Sequence, residues 1–327
     1  MNLFLSTRRM AEGHHEDHLT EFFAAALHIF PQIRKGFYDL ALESYCRASG
    51  WGPCEISSIE TQPCYDDSFC QPDMLITLSN GKHIACEHKL DAVETMGPDA
   101  DKRPQLERYL DLPEIDGLLY VRASWKPPER HVVNHPKYIK PRDGEHFLWR
   151  DFHPLFASST DPFLLWMREG FERFGFTPPH PQVTVETEAD RHNFAKLWSK
   201  TRSYAHRLGW STSPGSIIQL YLDGNENSSA EAIFIQPTAR GFQFRATPKL
   251  EQQEHCFAAL ASACNATPAI TEHGVKVVRR TTGKEAVYDI WAPSTAVLGV
   301  GELPATETEN RLHQFVAPLL DAVQLRP

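Results

Sequence analysis

The sequence predicts an α/β domain followed by a second, α+β domain, and three observations carry that expectation. Residues 16–30 place Leu19, Phe23, Ala26, Leu27 and Phe30 at helical spacing. Two β-rich runs then flank the turn Ser79-Asn80-Gly81-Lys82, and an apolar run at 117–121 follows a further helical stretch. Beyond the proline-rich segment 177–182 the pattern changes to short strands with tight polar turns, flanked by helices.

In order, helices are expected at 16–30 and 32–48, the second stopping before the breaker Gly50-Trp51-Gly52-Pro53. A strand near 55–62 precedes the hairpin. The helix around Gln105 and the strand 117–121 then complete an α-β-β-β-α-β order, which implies a central sheet buried between helices. A helix at 161–174, with Phe163, Leu164, Met167 and Phe171 on its apolar face, closes a first domain of 1–176.

The hairpin holds the chemistry. Asp73 opens its first run, after Pro72, while Glu87 and Lys89 close the second. Side chains alternate across a strand, so Glu87 and Lys89 share a face. A two-residue Asn80-Gly81 loop pairs Asp73 with His88 and turns it to the other side. A three-residue Ser79-Asn80-Gly81 loop, with Gly81 left-handed in a G1 bulge, pairs Asp73 with Glu87, and this register is the expected one. Two facing carboxylates repel unless a positive charge lies between them. A hard divalent cation with oxygen ligands, Mg²⁺ above all, answers that need, and a lysine beside it can act on an attacking water or on phosphate charge.

Two further groups fall into place. Gln105 and Tyr109, four residues apart on one helix, share a face. Glu16 lies on the inward face of the first helix at its start, Glu21 is rotated away, and Asp17 is the neighbouring alternative. Each also has a plainer reading: Glu16 as an acid favoured at a helix N-terminus, Gln105 and Tyr109 as a surface pair, Lys89, Asp91 and Glu94 as solvated charges.

Helix Glu, Pro-Asp, Glu-x-Lys and Gln-x-x-x-Tyr, in this order, resemble the PD-(D/E)XK nuclease superfamily, and the last motif resembles its RecB-like branch. The match covers roughly the first 120 to 150 residues. The resemblance implies a restriction-endonuclease-like core. It also implies Asp73 and Glu87 as ligands of Mg²⁺ (or Mn²⁺), helped by the His88 main-chain carbonyl. Lys89 would address the nucleophilic water and Glu16 would be the accessory acid. Gln105 and Tyr109 would bind substrate or brace the site. The expected activity is a metal-dependent nuclease, acting on DNA in preference to RNA, with genome or antiviral defence as its setting. The alternatives are a non-catalytic nucleic-acid- or protein-binding module on the same fold and a zinc hydrolase. No His-Glu-x-x-His or comparable spacing among the 16 histidines supports the latter.

Composition bounds the rest. The 327 residues suit two domains, and 41% hydrophobic content supports folded cores. A net charge of −9 does not advertise nucleic-acid binding, so positive charge would have to be concentrated. Residues 122–150 offer that, with seven Lys/Arg against three acids and Trp125, Tyr138 and Trp149 interleaved. These aromatics stack on unpaired bases in one reading and cover the core in the other. The seven cysteines form no Cys-x-x-Cys pair. Their spacing excludes the iron–sulfur cluster of some RecB-like nucleases and fits no common zinc pattern. Without an apolar leader or an 18-residue apolar run, a cytoplasmic protein with free thiols and no membrane partner is expected.

The second domain, 183–327, is expected to hold a long helix at 187–209 and strands near 216–222, 230–237, 241–247, 275–281 and 286–292. Helices at 249–264 and 307–325 complete it. His192, Lys196, Lys200 and Arg207 form a basic row on the long helix, either a solvated face or a nucleic-acid contact. Recognition, partner binding or homodimer formation are the roles open to it.

Overall fold

The computed structural model describes residues 2–8, 11, 13–65, 70–90, 96–97, 102–180, 193, 195–208, 211–212, 218–221, 232–238, 241–246, 262, 276–282, 285–292, 297 and 303–324. Two compact units divide at Pro178.

The first unit is α/β, an open mixed sheet flanked by helices. A short helix α1 (Leu3–Arg8) precedes α2 (His15–Ile29). The chain then stops being helical for one residue: Phe30 is extended, as a residue before proline prefers, and Pro31 opens α3 (Pro31–Phe37). Where one helix was expected over 32–48, a π-helical turn at Tyr38–Leu42 separates α3 from α4 (Glu43–Ala48).

Strands β1 (Ile56–Thr61), β2 (Met74–Leu78) and β3 (His83–Lys89) form an antiparallel run, β1 with β2 and β2 with β3, and β4 (Gly117–Arg122) lies parallel to β3. The helix α5 (Gln105–Asp111) connects β3 to β4. Two-residue strands β5 (Tyr138–Ile139) and β6 (Phe147–Leu148) extend the sheet from β4, and α6 (Arg130–Val133) lies between β4 and β5. A 3₁₀ turn at Trp149–Phe152, α7 (Pro154–Ala157) and α8 (Pro162–Arg173) follow, α8 being capped by Asp161 Oδ1, which accepts from Phe163 N at 2.9 Å.

Alternation in β3 and β4 feeds two apolar layers. Ile84, Cys86, Leu119 and Val121 face α2, with Leu19, Phe23 and Leu27. Ala85, Leu118 and Tyr120 face α5, with Leu106, Tyr109 and Leu110. All of β4 is buried, which is why it reads as a continuous apolar run. Gly117 starts β4 with no room for a side chain: a Cβ there would stand 2.6 Å from Ile84 Cδ1 and 3.0 Å from Ile139 Cδ1. Gly117→Ala is therefore expected to cost ~1–3 kcal/mol, read as a lowered midpoint in chemical denaturation.

In residues 122–150 the aromatics cover the core, the second of the two readings open to them. Trp125, Tyr138 and Trp149 are 8%, 4% and 0% exposed, so none offers a ring for base stacking. Arg122 is buried, and Lys137 Nζ donates to the Leu110 and Leu112 carbonyls at 3.0 and 2.8 Å. Lys126, Arg130, Lys140 and Arg142 are the segment's exposed cations.

The second unit holds a six-stranded antiparallel sheet, in the order β11-β12-β10-β9-β8-β7. Its strands are β7 (Ser211–Thr212), β8 (Ile218–Tyr221), β9 (Ala232–Thr238), β10 (Gly241–Ala246), β11 (Lys276–Thr282) and β12 (Glu285–Ala292). Helix α9 (Ser199–Arg207) packs on α10 (Ala305–Gln324), where Glu309 Oε1 accepts from Lys200 N at 2.9 Å and Asn310 Oδ1 from Lys200 Nζ at 2.7 Å. Lys200 thus serves a helix–helix contact rather than a free basic row. His192 and the helix expected at 249–264 lie outside the described residues, save residue 262. Among the described residues no helix is long and apolar enough to cross a membrane.

Candidate active site

The hairpin turn sets the site. Lys82 O accepts from Leu78 N at 2.8 Å and Leu78 O from Gly81 N at 2.9 Å, closing a three-residue loop with Gly81 at φ +77°. That φ is left-handed, the conformation glycine adopts at no steric cost. The register that follows runs from Thr77 opposite His83 to Met74 opposite Cys86. Glu87, next after Cys86, lies on the α5 side of the sheet by alternation, and Asp73, immediately before β2, reaches the same end of β3 through His88 N.

Asp73 is held from behind. Asp73 Oδ2 accepts from His88 N at 2.6 Å, and Asp73 O accepts from Gln62 N at 3.0 Å. Tyr109 donates its hydroxyl to Gln71 O at 2.7 Å, pinning the backbone two residues before Asp73, and Gln105 Nε2 donates to that hydroxyl at 2.7 Å. Gln105 and Tyr109 thus brace the Pro72-Asp73 segment.

Lys89 closes the group. Its Nζ is 2.6 Å from Glu87 Oε1 and 3.7 Å from Glu16 Oε2. The other oxygen of Glu16 accepts from Leu90 N at 2.7 Å, so the start of α2 is tied to the end of β3. Asp17 instead pairs with His14 near the surface, and Glu21 is exposed, which leaves Glu16 as the helix acid that reaches the site.

Electrostatically the arrangement is strained toward neutrality. Burial first, then the Asp73 charge, pushes Glu87 up to about 8, against the pull of Lys89 and Tyr109. Burial also lifts Asp73 to about 6, opposed by its bond from His88 N and by Lys89. Burial works against the Lys89 ammonium, but Glu87, Asp73 and Glu16 outweigh it and hold Lys89 above its ordinary value. The two partners pull differently: Lys89 keeps its proton, while Glu87 is reluctant to lose its own. The raised Glu87 is the stronger constraint, because it is 0% exposed.

His88 points to the opposite layer. It is buried beside Phe23 and Trp149, with Nδ1 2.8 Å from Thr20 Oγ1, and burial followed by the Lys89 charge lowers it to about 3. It is a neutral core imidazole. Thr20, Gln71 and Leu90 did not stand out in the sequence. A signal for Thr20 was present, since it is the polar residue one turn after Glu16 on a helix face otherwise committed to the core.

Among the described residues no group of three His, Cys, Asp or Glu side chains could hold a metal ion. Cys46, Cys54, Cys64, Cys70 and Cys86 form no disulfide; Cys256 and Cys264 lie outside the described residues.

No family model, no curated protein and no solved structure matches the chain.

Proposed function

We propose that the protein is a Mg²⁺- or Mn²⁺-dependent phosphodiesterase of the PD-(D/E)XK type, built on a restriction-endonuclease-like core and cutting nucleic acid, DNA in preference to RNA. The observation that supports this reading is the odd-length turn, whose register brings Asp73, just before β2, to the end of β3 that carries Glu87 and Lys89. A buried carboxylate raised first by burial and then by the Asp73 charge fits a divalent cation, since added positive charge would offset both.

Asp73 and Glu87 would hold the cation, with the His88 main-chain carbonyl, waters and substrate oxygens completing a set that side chains alone do not fill. When bound, the cation supplies positive charge opposite the reacting phosphodiester. The protonated Lys89 orients the attacking water and offsets charge on the phosphate oxygens. Glu16 holds Lys89 over the site. Gln105 and Tyr109 keep Asp73 in place, and Gln105, half-buried, stands where substrate would meet the wall of the site.

The near-complete burial of Lys89 against Glu87 favours a second reading, a binding module in which this pair is structural. One experiment separates them. Circular DNA, linear DNA and RNA are incubated with Mg²⁺, Mn²⁺ or EDTA, and metal uptake is followed by calorimetry. The nuclease reading expects at least one substrate cut with metal and none with EDTA, and metal uptake lost in Asp73→Ala. Intact substrates together with no metal uptake would leave the binding module.

A further inference from the structure

We propose that Thr20 and His88 form a positioning lock that sets Glu16 against the end of β3. Thr20 is 0% and His88 1% exposed, and their 2.8 Å contact is a side-chain hydrogen bond from α2 to β3 inside an otherwise apolar layer. In such a layer the Thr20–His88 bond forms only in one alignment, whereas apolar contacts tolerate sliding. Thr20 lies one helical turn after Glu16, so both project from the same face of α2. His88 lies two residues before Leu90, whose N–H donates to Glu16 Oε1 at 2.7 Å. Two bonds one turn apart on the helix thus meet His88 on β3 and Leu90 just beyond its end, and together they fix both the height and the rotation of α2. Phe23 and Trp149 flank the imidazole, with ring centroids 6.3 and 4.7 Å away, and keep its ring from turning. Neither residue faces the acidic pair: alternation along β3 sends His88 to the α2 layer while Glu87 and Lys89 face the other way. The lock acts through Glu16, and through Glu16 on Lys89, 3.7 Å from Oε2.

The kinetic part rests on the nuclease reading; the structural part does not. Amide exchange at Leu90 reports the Glu16 bond directly. Thr20→Val keeps the shape and removes the hydroxyl, and Thr20→Ser restores a hydroxyl. The expected result is at least tenfold faster exchange at Leu90 in Thr20→Val, near wild-type exchange in Thr20→Ser, and unchanged exchange at Val121 in both. If Thr20→Val does not fold, Thr20→Val/His88→Leu removes both polar partners and is read the same way. Unchanged Leu90 exchange, or equal loss in the Val and Ser variants, would overturn the proposal. On a cleaved substrate, Thr20→Val should lower kcat about tenfold at constant KM, with Thr20→Ser recovering it. A wild type that cuts nothing would remove the nuclease reading and leave the exchange result to decide the lock.

Discussion

Replacing Lys89 with alanine is expected to lower the cleavage rate at least ~100-fold, the scale on which a positioned proton donor or charge acts in a transition state. It should also change stability in a way a surface lysine would not. Lys89 is the counter-charge 2.6 Å from a fully buried Glu87, which already feels the Asp73 charge. Removing one partner of a buried pair leaves the other desolvated and typically costs ~3–5 kcal/mol. The cost should shrink in acid, where Glu87 takes up a proton, and shrink again when Mg²⁺ or Mn²⁺ supplies the missing charge. Denaturation of wild type and Lys89→Ala at pH 6 and pH 8, with metal and with EDTA, measures both effects. Equal cleavage rates in the two proteins would take Lys89 out of the chemistry, whatever its part in stability.

The metal-free protein should become less stable as pH rises from 6.5 to 8. Glu87 titrates near 4.5 when unfolded and is held up to about 8 in the fold. Between those values the folded chain binds more protons than the unfolded one, so stability falls as pH increases, by up to ~1.4 kcal/mol per pH unit for one group. Asp73, raised from 3.8 to about 6, adds the same sign at lower pH. His88 works oppositely: lowered from 6.5 to about 3, it contributes stability that is lost as pH drops below 6.5, and it masks the carboxylates there. The window above 6.5 is therefore where Glu87 dominates. Glu87→Gln should flatten that slope in urea titrations, and a divalent cation should raise wild-type stability more at pH 8 than at pH 6. A wild-type slope matching that of Glu87→Gln would mean that Glu87 is not strained by its surroundings.

Much of this was legible before any coordinates. Asn80-Gly81 between alternating runs selects a hairpin, and the need to put Asp73 and Glu87 on one face selects its register. The helix at 16–30 follows from Leu19, Phe23 and Leu27, and Pro31 ends it. What sequence could not resolve depended on long-range packing. Trp125, Tyr138 and Trp149 sit in irregular chain, where no period tells inward from outward. The π-helical turn at Tyr38–Leu42 interrupts an uninterrupted helical pattern. The choice among Glu16, Asp17 and Glu21 turned on which carboxylate meets the Leu90 amide, a partner 74 residues away in the chain.

The turn at Ser79-Asn80-Gly81 has a wider implication. Whether these two acids are companions or strangers is a question of parity: an odd count of loop residues shows them to each other, an even count turns their backs. A chain that lost one residue from this solvent-facing bend would still spell every letter of its motif. Its spelling would be intact, and the arrangement proposed for it would be gone.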